Sequence, residues 1–168
     1  IPLIKKRPEE YGHVMAVNAF TKVYAMAGLR FGYALCTDQM ILERMECCRQ
    51  PWSVSAPAEA AALAAVREAA VNGGWIDRTV AAVERERQFL ADGLERMGFT
   101  VFPSMVNYIL FKSGNCFDYK EFCRDRGILI RSCENFDGLD KRYYRVSVRL
   151  HEENKALLEC MKAAGGKG

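Results

Sequence analysis

Histidine is scarce in this chain, with two among 168 residues, and no two cysteines stand in a C-x-x-C pair. Zinc sites draw on those residue types at such spacings, so the pattern argues against a metal centre. An excess of one charge is also lacking: 24 Lys and Arg stand against 21 Asp and Glu. A net charge of +3 is not the footprint of a nucleic-acid binder. No apolar run approaches the ~20 residues a membrane-spanning helix needs, and no signal-peptide pattern opens the chain. An initiator methionine is missing too, since Ile1 comes first; this reads as a processed chain or part of a longer one. What is plentiful is apolar side chain, at 50% hydrophobic residues, enough for a core in one domain or one and a half. The seven cysteines, an odd number, read as unpaired thiols of a cytoplasmic protein.

The hydrophobic pattern divides the chain. Val14–Ala19 and Phe31–Cys36 are short apolar runs without alternation, as expected of strands buried on both faces. Between them Phe20–Arg30 reads as a loop with a turn of helix. Helices are expected over Asp38–Arg49, capped by Thr37 or Asp38, and over the alanine-rich stretch from Ser55 to Val71. Pro57 suits a first turn, and Asn72–Gly73–Gly74 a stop. Trp75–Met97 carries apolar residues at three-, four- and seven-residue steps, a long amphipathic helix ended by Gly98. Strands are then expected at Phe99–Phe102, Asn107–Lys112, Ile128–Arg131 and Tyr143–Arg149, with helices at Phe117–Arg126 and Glu152–Ala164. In Tyr143–Arg149, residues Tyr143, Arg145, Ser147 and Arg149 share one face. The organisation expected is α/β: residues 1–74 as the remnant of a large domain, 75–97 as an interdomain helix, and 98–168 as a small α+β domain.

Two cations sit in FTKVYAMAGLRFGY (20–33), an otherwise apolar and glycine-dotted run. Lys22 follows a strand that reads as buried, and a desolvated lysine is a nucleophilic amine. Arg30 offers a planar guanidinium suited to phosphate, and Thr21 a hydroxyl. An aldehyde cofactor bearing a phosphate, which pyridoxal 5′-phosphate is, answers both cations; two ordinary loop cations are the other reading of the residue types alone. The run resembles the cofactor-lysine signature of fold type I pyridoxal-phosphate enzymes, the aspartate aminotransferase superfamily, in which an arginine follows the lysine by eight residues within G-L-R-x-G. The resemblance implies that Lys22 holds the cofactor aldehyde while Arg30 and Thr21 bind its phosphate. Ala19 departs from the Ser or Thr usual three residues before the lysine, which removes a hydrogen bond worth about 1–2 kcal/mol; Asn18 is the nearest replacement.

Within that superfamily the chain is similar to L-threonine-O-3-phosphate decarboxylases and histidinol-phosphate aminotransferases. QPWSVSAPAEAA (50–61), ILIRSCENFDGLDKRYYRVSVR (128–149) and HEENKALL (151–158) resemble the decarboxylase pattern more. The resemblance covers the second half of such a protein. It implies a C-terminal part of a fold type I large domain plus its small domain, a homodimer when full length, and a phosphorylated amino acid as substrate. Arg145 is implied to hold the substrate carboxylate and Arg131 its phosphate, with Lys141 and Arg142 adding positive potential. Asn107 reads equally as a site residue or a strand-start cap, and Trp52 as a cleft-lining or a packing residue. Arg149 is expected to pair with Glu152 or Glu153, and His13 and His151 have no expected role. The family's other cofactor ligands precede the lysine, so this chain alone is expected to bind cofactor weakly or not at all. Two other readings remain: a non-catalytic aminotransferase-like binding module, and a purely structural fragment.

Overall fold

The structure, a computed structural model, describes residues 10, 12, 14–72 and 74–165. His13, Gly73 and the terminal residues 166–168 lie outside the described residues. The chain divides into two compact units, Ile1–Ile76 and Asp77–Gly168.

In the first unit, β1 (Ala16–Ala19) runs into a single helical turn, α1 (Phe20–Val23); a 3-10 turn at Ala27–Leu29 then leads into β2 (Gly32–Leu35). The strands pair antiparallel, Ala19 opposite Gly32 and Ala16 opposite Leu35. Gly32 suits this closeness, since a Cβ there would stand 3.0 Å from the Asn18 carbonyl oxygen, a tight contact. Strands covered on both faces were expected; instead Val17 is 75% exposed, because no described strand flanks this pair. α2 (Gln39–Cys48) starts at Asp38, whose carboxylate accepts the Met40 and Ile41 N–H groups at 2.9 and 3.2 Å. Asp38, not Thr37, is the cap, satisfying donors a helix start leaves free. α3 (Ala56–Asn72) has Pro57 in its first turn, where the missing N–H costs nothing.

α4 (Trp75–Arg96) lies almost wholly in the second unit and ends at Gly98, whose φ of +86° few other residues tolerate. The second unit's sheet has the order β3-β4-β6-β5, with β3 (Thr100–Val101), β4 (Tyr108–Lys112), β5 (Arg131–Ser132) and β6 (Tyr143–Ser147), all paired antiparallel. Alternation sends Ile109, Phe111, Tyr144 and Val146 into the core, where they meet Leu90 and Leu94 of α4. α5 (Tyr119–Arg124) and α6 (His151–Gly165) complete that core with Cys123, Leu157 and Met161. Gly93 lets α4 approach α6, since a Cβ there would lie 2.5 Å from a Leu158 methyl. Arg131 was expected to end a strand and begins one: the Ile128 N–H turns back to the Cys123 carbonyl at 2.9 Å, so the residues after Gly127 still serve the helix end.

Candidate functional site

The loop that carries the two sequence-predicted cations is pinned by Phe20. Its N–H donates to the Phe31 carbonyl at 3.1 Å. Its ring stacks on Tyr24 at 4.9 Å and meets Phe31 edge-on at 5.1 Å. Helical spacing places Phe20, Val23 and Tyr24 on one side of α1, where with Phe31, Ala62 and Val66 they line an apolar cavity of about 560 Å³. Thr21 and Lys22 fall outside that lining. Lys22 is exposed, so the shielding expected from its apolar neighbours is not supplied by the described residues; those neighbours face the cavity instead. Arg30 is exposed as well, and its Nη1 donates to the Ala27 carbonyl at 2.9 Å.

Backbone strain marks both ends of this loop. Ala25 and Arg30 have φ values of 54° and 55°, the left-handed region that costs a non-glycine residue about 1 kcal/mol. The Asn18 side chain is already engaged, its Oδ1 accepting the Ala19 N–H at 2.7 Å. It does not stand in for the hydroxyl that Ala19 lacks. The loop carries one amine, one guanidinium and one hydroxyl, groups whose chemistry suits an aldehyde and an oxyanion.

The second group of predicted residues lies on the open face of the four-stranded sheet. Arg131 and Arg145 are direct cross-strand partners. Like charges placed opposite one another repel, yet among the described residues neither guanidinium makes an ion pair. Each instead lies over an aromatic ring: Arg145 over Tyr108 at 4.8 Å, Arg131 over Phe136 at 5.3 Å. Beneath them the buried Cys133 thiol is pushed up in pKa by desolvation, a rise the two arginine charges oppose. Tyr108 follows Asn107 and Phe136 lies within NFDGL (135–139), both inside the stretches that carry the resemblance, but the sequence pattern assigned neither a role. Parity along β4 puts Tyr108 on the Lys112 side, but only the strand register brings it diagonally beside Arg145.

The remaining sequence-predicted residues fare unevenly. Arg142 adds no free charge, because Asp140 grips it at 2.6 Å; that bond holds the Asp140 carboxyl down at about 2. Arg149 pairs with Glu153 at 2.7 Å. Asn107 is exposed, and its carbonyl accepts the Val148 N–H at 2.8 Å. Trp52 packs against little, being 96% exposed with φ 58°. All seven cysteines are free thiols, and among the described residues no cluster could hold a metal. No described helix is long and apolar enough to cross a membrane.

The chain is similar to several known proteins. Threonine-phosphate decarboxylase of Salmonella typhimurium is 34% identical over 164 residues, 96% of this chain and 43% of that protein. Histidinol-phosphate aminotransferase of Symbiobacterium thermophilum is 32% identical over 161 residues, 95% of this chain and 43% of that protein. The crystal structure of histidinol-phosphate aminotransferase from Clostridium acetobutylicum superposes with a TM-score of 0.84 at 26% identity, over 98% of this chain and 49% of that one. The chain therefore spans less than half the length of the relatives it matches. The family model Aminotransferase class I and II matches residues 1–160, a range holding the Lys22 loop and the arginine pair alike, and the chain belongs to that family.

Proposed function

We propose that the full-length protein decarboxylates a phosphorylated amino acid, with L-threonine O-3-phosphate as the substrate. Pyridoxal 5′-phosphate is the cofactor of this family, and the donors of the Lys22 loop fit it. Lys22 supplies the amine for its aldehyde; Arg30 and Thr21 supply a guanidinium and a hydroxyl for its phosphate. When bound, the cofactor supplies an electron sink for a bond broken at the substrate Cα. With the cofactor bound, the Lys22 amine would be the group that carries a proton to or from the substrate Cα.

The observation that carries the substrate reading is the facing pair Arg131 and Arg145, two guanidiniums without carboxylate partners among the described residues. Two cations suit two anionic groups, and L-threonine O-3-phosphate bears both a carboxylate and a phosphate. By fixing both, the arginines set the orientation of the Cα substituents, and orientation decides which bond breaks. Histidinol phosphate has no carboxylate and would engage one arginine through its phosphate. The close superposition with a histidinol-phosphate aminotransferase nonetheless favours aminotransfer as the second reading. We infer a homodimer for the full-length protein, on the family resemblance. Two assays on that protein separate the readings. Carbon dioxide released from L-threonine O-3-phosphate supports decarboxylation; turnover of histidinol phosphate that requires 2-oxoglutarate overturns it in favour of aminotransfer. If borohydride fixes no cofactor to the protein, both readings fall and the structural reading, with Lys22 and Arg30 as ordinary loop cations, remains.

A further inference from the structure

An arginine that must meet a ligand anion has two conflicting needs. Its long side chain has to be held in one orientation, because free rotamers cost binding energy. Its charge has to stay available. A carboxylate brace meets the first need and defeats the second, as Asp140 does for Arg142. An aromatic face meets both: it attracts a guanidinium through its quadrupole and orients its plane, yet carries no net charge.

The open face of the sheet uses that second device twice, side by side. Arg145 lies over the Tyr108 ring and Arg131 over the Phe136 ring. Tyr108 sits on β4 diagonally across from Arg145, and Phe136 follows the strand that holds Arg131. Both rings are partly solvent-exposed, 41% and 44%, and neither belongs to the hydrophobic core. Packing therefore does not explain their size. A turn, in which the Phe136 N–H donates to the Cys133 carbonyl at 3.1 Å, holds the backbone that carries that ring.

We propose that Tyr108 and Phe136 are positioning residues for the anion site: each holds one guanidinium of the facing pair, Tyr108 that of Arg145 and Phe136 that of Arg131, without neutralising it. The inference rests on the reading of Arg131 and Arg145 as substrate-anion ligands. The ring of Tyr108 matters and its hydroxyl does not, which sets this role apart from a hydrogen-bonding one.

The test titrates the cofactor-loaded full-length protein with two probes, inorganic phosphate for Arg131 and acetate for Arg145. Arg131→Ala should raise the phosphate Kd about thirtyfold and Arg145→Ala the acetate Kd about as much. Phe136→Leu should raise the first, and Tyr108→Leu the second, about fivefold. Tyr108→Phe and Phe136→Tyr should bind as the unmodified protein does, since each keeps the ring. Thermal melting of every variant reports on folding separately, and the leucine variants should melt within a few degrees of the parent. Unchanged affinity in the leucine variants, alongside loss in the alanine ones, overturns the positioning role and leaves the anion site standing. Unchanged affinity in the arginine variants overturns the anion site, and the positioning role with it. A Tyr108→Phe defect as large as that of Tyr108→Leu also overturns the proposal, by assigning the effect to the hydroxyl.

Discussion

Arg30 holds a left-handed backbone conformation that a glycine would adopt freely, and its neighbour Gly28 shows that the loop had glycine to use. Keeping an arginine at a strained position follows when its guanidinium is needed there. Arg30→Lys in the full-length protein should weaken cofactor binding about tenfold, because a point charge replaces a bidentate fork; a spectroscopic titration with pyridoxal 5′-phosphate measures it, and unchanged affinity removes Arg30 from the site. Lys22 admits a covalent test. Borohydride reduction followed by peptide mapping should place the cofactor on the Lys22 peptide and nowhere else, and Lys22→Ala should abolish the label. Lys22, Thr21 and Arg30 could be named as candidates because residue types and an eight-residue spacing survive in a bare sequence. The exposure of Lys22 was not. Which side of a four-residue turn faces a cavity depends on the aromatic cluster around Phe20, whose members lie as far apart as Tyr24 and Tyr33.

The long helix, the sheet and the last helix meet at one polar point. Asn154 is buried at 1% exposure, yet every polar atom of its side chain is used. Its Oδ1 accepts the Arg149 N–H at 3.0 Å; its Nδ2 donates to the Arg149 carbonyl at 2.8 Å and to the Glu86 carboxylate at 3.1 Å. Asn154→Ala should destabilise the second unit by about 2–3 kcal/mol, since it orphans backbone groups as well as removing bonds; urea unfolding reads this directly. The same junction has a pH dependence. The hydrogen bond from Asn154, with a smaller one from His151, holds the Glu86 carboxyl below its ordinary pKa, against the opposing effect of burial. A carboxyl depressed on folding adds stability above its unfolded pKa of about 4.3 and loses it as pH falls through the lower folded value. Stability of the parent should therefore drop more steeply below about pH 4 than that of Glu86→Gln; parallel acid profiles would exclude this role. Elements with a 3.6-residue period, such as α4, were readable in the sequence to within a residue or two. β5 was not, because the backbone of Ile128 is claimed by a helix end, and neither was the facing of Arg131 with Arg145, which only the cross-strand register creates.

Taken as a whole, the chain carries two units of very different burial. Among the described residues of the first unit, Phe20, Ala58 and Ala62 are the buried apolar side chains, while Val17, Met40, Leu63 and Val66 are each more than 40% exposed. α2 buries none of its residues. In the second unit Leu90, Leu94, Ile109, Phe111 and Met161 are each at most 1% exposed and form one continuous cluster. Apolar burial is worth roughly 25 cal/mol per Å², so the stabilisation is concentrated in residues 77–168. Backbone hydrogen bonds of a two-stranded ribbon have little to hold them closed, whereas those of β4 and β6 open only when the cluster does. Native-state hydrogen exchange on the 168-residue chain should divide accordingly. Amides of β1, β2 and α2 should exchange through local opening, at least about a hundredfold faster than those of β4, β6 and α6. Denaturant should accelerate the second set strongly and the first set weakly, since global opening exposes far more surface than fraying. Phe111→Ala sharpens the test, because it removes the centre of one core only. It should cost about 3–5 kcal/mol and raise exchange throughout residues 77–168, while β1 and β2 keep their rates. If instead all amides shared one free energy of opening and responded to Phe111→Ala together, the chain would be a single cooperative body and the division of stability drawn from burial would be wrong.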